Sequence, residues 1–528
     1  MRKLLLGLLV GGITWAGAQR GAVEAPAQPS ATFRVGTKLV EAVVVARDKR
    51  GPAAGLTRQD FTLLDNGIPQ NIAVFSVRSV GALANTPRTA GSLSSALPPG
   101  VISNRAGRNE DAPATQTVLL LDRIFTGPIN QMFAIQRISK YLDLRRKQDG
   151  IGIYTLGRDV KVIQDVTDDE ALLRRAANSL QAQDANSRSS DTTGMTEKAA
   201  DDYAQMNMLG RVLALKHALQ ATARHLANVP GRKSLIWISE AFPVFYCPPH
   251  FPCTDYRPDM QEAARALIDA NVALYAVDPR GLIGALGRMT GISNAESRGP
   301  ASQLVPGYRV APVGPEHIET MNLLAGLTGG EVYYNTNGLE DSMRKAVEDG
   351  DASYVLGFYP SAETQDGKVH KLKVSVARSG LSLRYRESYF ATKAQNDAEP
   401  RPTAERLLQD PLDATQIGLL ARAVPDVTDA GLFHVQVLVD LRDVQLRKED
   451  GKWVGSVEVS FHMEGAKSAQ IAARQIEIPE DQLAAALAQG FLIRQPIERA
   501  GKASDLRVAV EDKTSGAAGS LRIPLRKN

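Results

Sequence analysis

Cysteine is nearly absent. The 528-residue chain has two, Cys247 and Cys253, in the run Cys-Pro-Pro-His-Phe-Pro-Cys. With His250 between them they still fall short of the four ligands a structural zinc site uses, so a local disulfide is the favoured reading and a metal pair the alternative. Aromatic residues make up 5% of the chain, and the net charge is only +4. Without Arg2 and Lys3 it is +2, from 60 basic and 58 acidic residues. No basic stripe is interleaved with aromatics, which excludes the usual nucleic-acid face. No second long apolar run follows the first residues, which excludes a later membrane-spanning helix.

Enzyme signatures are missing too. There is no Gly-x-Ser-x-Gly and no His-x-x-x-His; His217 and His225 lie eight apart on one helical pattern and read as partly buried helix residues. Gly281-x-x-Gly284-x-x-Gly287 follows a strand but lacks the dinucleotide spacing. These absences point away from an enzyme.

What is present begins with a targeting segment. Arg2 and Lys3 form a basic region, Leu4–Trp15 is apolar, and Ala16-Gly17-Ala18 is a small-x-small cleavage site. Residues 1–18 therefore read as a signal peptide, and the mature chain as exported, periplasmic or extracellular, with an environment that favours the disulfide. No cysteine follows the cleavage site, which argues against a lipoprotein.

The length calls for three or more domains. Residues 33–80 read as an N-terminal β-sandwich-like domain, with a hairpin signal at Asp65-Asn66-Gly67. Residues 81–115, rich in small and polar residues, read as a flexible linker. Residues 116–390 alternate strands with helices, the pattern of a doubly wound parallel sheet closed by a C-terminal β hairpin. Residues 391–403 are a second linker. Residues 404–528 read as a β-rich domain, opening on a helical segment at 403–423.

One stretch organises the middle domain. Thr117-Val118-Leu119-Leu120-Leu121 is a short apolar strand that ends in Asp122, with Thr126 four residues on and a helix opening after Gly127-Pro128. In a doubly wound sheet that grows outward from this strand in both directions, the crevice lies beside it at the strands' carboxyl ends. The fourth strand, Lys233 to Glu240, ends there in a second carboxylate. The loop at 181–200 brings Thr192 or Thr193 towards the same place. Carboxylates and hydroxyls make a hard-oxygen set suited to Mg²⁺. Asp278, at the end of the fifth strand, is a spare candidate that reads more simply as a turn former before Pro279.

This order of a strand ending in Asp, a helix, an antiparallel strand hairpin, a Thr-bearing loop and a second strand ending in an acid resembles the von Willebrand factor type A domain. The family's metal-ion-dependent adhesion site carries Asp-x-Ser-x-Ser, then a distant Thr and a distant Asp. Asp122 matches its first position and Thr126 its fifth; Ile124 replaces the first Ser and cannot ligate. Glu240 stands near the expected Asp, and Thr192 and Thr193 near the loop Thr. The metal motif is thus degraded. Leu56-Thr57-x-x-Asp60-Phe61, Asp65-x-Gly67-x-x-Gln70, Tyr354-x-Leu356-Gly357-Phe358-Tyr359-Pro360 and Leu383-x-Tyr385-Arg386 are similar to the related domain family of acidobacterial proteins.

The resemblance implies a central Rossmann-like von Willebrand A domain flanked by small β-sandwiches. It also implies a non-enzymatic, adhesion- or scaffold-like protein that docks a protein partner at the loop rim, with no nucleic-acid partner and no membrane span once the leader is cleaved. Mg²⁺ is the ion its site would take. Two other functions are a metal-assisted exported hydrolase and a structural component of an envelope assembly.

Overall fold

The computed structural model describes residues 40–49, 51–79, 97–98, 100–105, 116–147, 149–181, 196–228, 233–247, 252–281, 316–336, 338–350, 352–360, 368–391, 404–429, 431–463, 466, 468–500 and 503–525. The leader, the linker at 392–403 and the 182–195 part of the Thr loop lie outside them.

The central domain is a three-layer α/β unit. Its strands are β1 (Gln116–Asp122), β2 (Gly150–Leu156), β3 (Val160–Thr167), β4 (Lys233–Ile238), β5 (Val272–Val277) and β6 (Val332–Tyr333), in the sheet order β6-β5-β4-β1-β2-β3. All neighbours are parallel except β2 and β3. The parallel strands β2, β4 and β5 are buried at every residue, which is why they read as mostly apolar runs rather than alternating ones. β3 has mostly part-exposed side chains, as an edge strand should.

Two helical layers cover the sheet. One face packs Val118, Leu120, Leu235, Trp237 and Leu274 against α3 (Glu197–Leu226), α4 (Arg257–Asp269) and α5 (Glu316–Thr328). The other packs Leu119, Leu121, Ile153, Ile236 and Tyr275 against α1 (Pro128–Leu144), α2 (Glu170–Gln181) and α6 (Leu339–Glu348). Alternation along β1 sends successive side chains to opposite layers, so one strand seeds both cores.

The β regions correct the expected boundaries. Ala352–Phe358 and the strands from Val369 to Phe390 do not close the central domain. Ala352–Phe358 lies between Val40–Asp48 and Val74–Ser79, and Val369–Val376 lies between Phe61–Asp65 and Ser388–Phe390. The two sheets share one core, in which Tyr354 and Phe358 join Phe61 and Leu63. Buried Asp65 accepts from Tyr389 Oη at 2.8 Å and meets His370 Nδ1 at 3.0 Å, fastening the late strands to the early ones. The central domain is thus inserted into this amino-terminal β unit. Sequence order hid the insertion because a strand's partner need not be near it in the chain. The Asp65-Asn66-Gly67 turn is where it was expected, with Asn66 and Gly67 both at positive φ.

Nor is 81–115 wholly a linker. Ile102–Ser103 pairs with Leu419–Pro425, and Asn104 donates to Ala414 O and Ile417 O at 2.8 Å each while accepting from Leu419 N at 2.9 Å. The expected 403–423 helical segment is a helix only at Ala404–Gln409, and 419–425 is strand. In this carboxyl-terminal β unit Gln470–Pro479 and Phe491–Glu498 are strands that the sequence reading missed, and the helical excursion is present at Leu483–Gln489. The two sheets close on Val435, Val437, Val459, Phe461 and Val508.

Many of the β units' contacts with the central domain gather at the end where the parallel strands begin. Asp349, just past α6, is fully buried; it receives Arg47 and Arg384 from the amino-terminal unit and the Tyr275 hydroxyl from β5. At the end of α3, Arg224 pairs with Asp410 at 2.7 Å, and Thr415 Oγ1 donates to His225 O at 2.9 Å. The helix at 404–409 then climbs the flank of α3, where Arg406, Gln409 and Asp410 share a cavity of about 390 Å³ with His217, Arg158 and Asp159.

Candidate functional site

At the opposite end β1 and β4 run side by side, with Ile238 level with Leu121. One step further, that register sets Ser239 beside Asp122. Asp122 is fully buried. Its Oδ1 accepts from Ile124 N at 2.8 Å and Phe125 N at 3.0 Å, which curls the chain into a tight turn after the strand. Its Oδ2 accepts from Ser239 Oγ at 2.9 Å and Trp237 Nε1 at 3.1 Å. Burial pushes the Asp122 carboxyl above the ordinary carboxylate range, and the hydrogen bonds from Phe125, Ser239, Ile124 and Trp237 pull it partly back.

Glu240 holds the other end of the same loop. Its Oε1 accepts from Gly127 N at 2.7 Å and Asn130 Nδ2 at 3.0 Å. Gly127 is the N-cap of α1 and has no side chain to cap with, so a carboxylate from the neighbouring strand serves instead, where the helix dipole favours negative charge. The chain reverses directly after Glu240 at Ala241, whose φ of 57° is left-handed. Ser239 Oγ accepts from Ala241 N at 2.9 Å and steadies that reversal.

A cation completes the group. Arg211 of α3 donates to Ile124 O, and its guanidinium carbon lies 4.6 Å above the centre of the Phe125 ring. Phe125 is itself stacked on Phe242 at 4.5 Å. Loss of hydration pulls the Arg211 guanidinium below its ordinary range, and the negative charges of Asp122, Tyr246 and Glu240 pull it partly back up.

The structure brings Asp122, Thr126 and Glu240 to one crevice. Thr192 and Thr193 lie outside the described residues. The three described candidates do not fit a divalent ion well. A carboxylate offers about four lone-pair sites, and the four donors to Asp122 fill them. Thr126 Oγ1 is buried with no hydrogen-bond partner among the described residues, so one oxygen does point to something unfilled. Against it stands the guanidinium: Arg211, held on Ile124 O and on the Phe125 ring, would repel a divalent ion bound beside that loop. Among the described residues no cluster of three or more His, Cys, Asp or Glu could hold a metal.

Asp278 proves to be a turn former. It is buried and bound by Arg280, whose Nη2 reaches Oδ2 at 2.6 Å. The disulfide Cys247–Cys253 closes a small hairpin beside the crevice, in which Phe245–Tyr246 pairs with Thr254–Asp255. Phe245 is 44% exposed, with Arg257 packed over its ring. Sequence reasoning missed Ser239, Trp237, Asn130 and Arg211. The β1–β4 register could have yielded Ser239; nothing local marks Arg211, which comes from a helix 87 residues away.

No protein-family model and no curated protein sequence matches the chain. Among solved structures it is similar to an aerotolerance-related membrane protein from Bacteroides fragilis, at 17% identity over 45% of this chain and 98% of that chain, with a TM-score of 0.26. BatB from Bacteroides thetaiotaomicron is 13% identical over 44% of this chain and 96% of that one, TM-score 0.27. A von Willebrand factor type A protein from Catenulispora acidiphila is 10% identical over 70% and 67%, TM-score 0.27. The assignment rests on the chain's own topology: by strand order, the single antiparallel edge strand and the acid that ends β1, the central domain is von Willebrand factor type A-like in fold.

Proposed function

We propose that the chain is an exported, non-enzymatic protein-binding protein that docks a partner on the rim at the carboxyl ends of β1 and β4. The observation that carries this reading is the placement of the β units. Their ion-paired junctions, at Asp349 and at Arg224, lie at the other end of the sheet. The rim keeps an exposed aromatic on a disulfide-closed hairpin, a combination of apolar surface and rigidity that suits a protein contact. The leader-like sequence and the paired cysteines support export. Among the described residues no helix is long and apolar enough to cross a membrane. The adhesion site of the fold is degraded here, because Ile124 replaces a ligand and the protein itself satisfies Asp122.

The test is co-precipitation from the exported fraction with the mature chain as bait, in Mg²⁺ and again in chelator. Phe245→Ser should reduce the recovered partner several-fold. Val427→Ser, at a fully exposed position on the carboxyl-terminal unit, should leave recovery unchanged. Equal recovery with all three baits would remove the rim from consideration.

A further inference from the structure

Two carboxylates converge on one short loop, and charges so placed beside an apolar core need a countercharge. A divalent ion is one solution. The geometry on α3 offers another. Arg211 touches the loop twice, through Ile124 O and through the face of the Phe125 ring. Phe125 cannot easily move away, because it is nearly buried and stacked on Phe242. A guanidinium suits this position: it is always charged, it is planar enough to lie on a ring, and it keeps further N–H groups for acceptors. Both oxygens of Asp122 and Oε1 of Glu240 are hydrogen-bonded by the protein, so the turn after β1 closes without an ion.

We infer that Arg211 takes the place of the divalent cation, making the crevice a metal-independent charge cluster of Asp122, Glu240 and a fixed guanidinium. Ile124 belongs to the same arrangement. Its side chain gives up the ligand position, and its carbonyl anchors the arginine. Arg211 would hold this position whether or not a partner docks at the rim.

Trp237 is a built-in reporter, because its indole N–H lies 3.1 Å from Asp122 Oδ2. The chain has three tryptophans, Trp15 in the leader, Trp237 and Trp453. In the mature chain carrying Trp453→Phe, emission therefore comes from Trp237. Mn²⁺ bound at Asp122 would sit within a few ångströms of the indole and quench it. The expected result is no saturable quenching up to millimolar Mn²⁺ and no effect of EDTA. Saturable, EDTA-reversible quenching overturns the inference. Arg211→Met, which keeps length and removes charge, should lower the unfolding temperature by a few degrees and shift the Trp237 emission maximum, and Arg211→Lys should restore part of both. An Arg211→Met protein identical to its parent in both readouts also overturns it. Should Arg211→Met fail to fold, the Mn²⁺ titration of the parent decides alone.

Discussion

Asp122 and Asp349 are both fully buried carboxylates at opposite ends of one parallel sheet, and they are satisfied in opposite ways. Asp349 is ion-paired to two guanidiniums that arrive from another folding unit, with a tyrosine hydroxyl from β5 added. Asp122 receives four neutral donors from its own domain, and its cation stands one step away on α3. At the crevice the chain turns at Ala241, which holds a positive φ while carrying a side chain. One end is built to lock two units together. The other is built to hold a loop in a defined shape at the surface, with some strain accepted to aim Glu240.

The largest effect should come from breaking the lock. Asp349→Ala leaves Arg47 and Arg384 facing a buried void, and removal of one partner from a buried ion pair costs about 3–5 kcal/mol. Urea unfolding followed by circular dichroism measures this, and a loss below 1 kcal/mol would show that the junction is not held by charge.

Asp122→Asn should cost about 1–3 kcal/mol, because an amide has one carbonyl where the carboxylate has two acceptor oxygens. Its pH dependence sharpens the contrast. Burial raises the Asp122 carboxyl above its unfolded value. The folded state therefore holds the proton more tightly, and the carboxyl's contribution is fully present below pH ~4 and falls as pH rises through the folded value. The stability difference between wild type and Asp122→Asn should shrink from pH 4 towards neutrality. A difference that grows would mean that the hydrogen bonds to Asp122 outweigh its burial.

The smallest effect is at Ala241. A left-handed conformation costs an L-residue about 1–2 kcal/mol relative to glycine. The buried methyl of Ala241 returns about 0.8 kcal/mol. Ala241→Gly should therefore stabilise by about 0.2–1.2 kcal/mol, read as a small rise in the urea midpoint; a marked loss would mean that the methyl's packing, rather than the turn, governs this position.

The central domain was largely legible in the sequence. Its parallel strands are buried on both faces and read as apolar runs, and helices at 316–328 and 339–348 follow from periodicity and the Gly329-Gly330 stop. The location of the crevice followed from strand order. Its chemistry did not, because the donors that saturate Asp122 come from β4 and the cation comes from α3. The β units were less legible. Tyr354–Phe358 carries no mark of the strands at 40–48 and 74–79 that flank it.

The sequence by itself determined the alternation of strands and helices, the order that places Asp122 and Glu240 at one crevice, and the lone cysteine pair. Periodicity and local turn chemistry act over a few residues and are written in the chain directly. Only the tertiary structure decided that Ala352–Phe358 and Val369–Val376 return to the first β unit, that Ile102–Ser103 joins the last one, and that Arg211 comes to rest on the loop after β1. Those are contacts between segments tens to hundreds of residues apart, selected by burial and charge pairing in three dimensions.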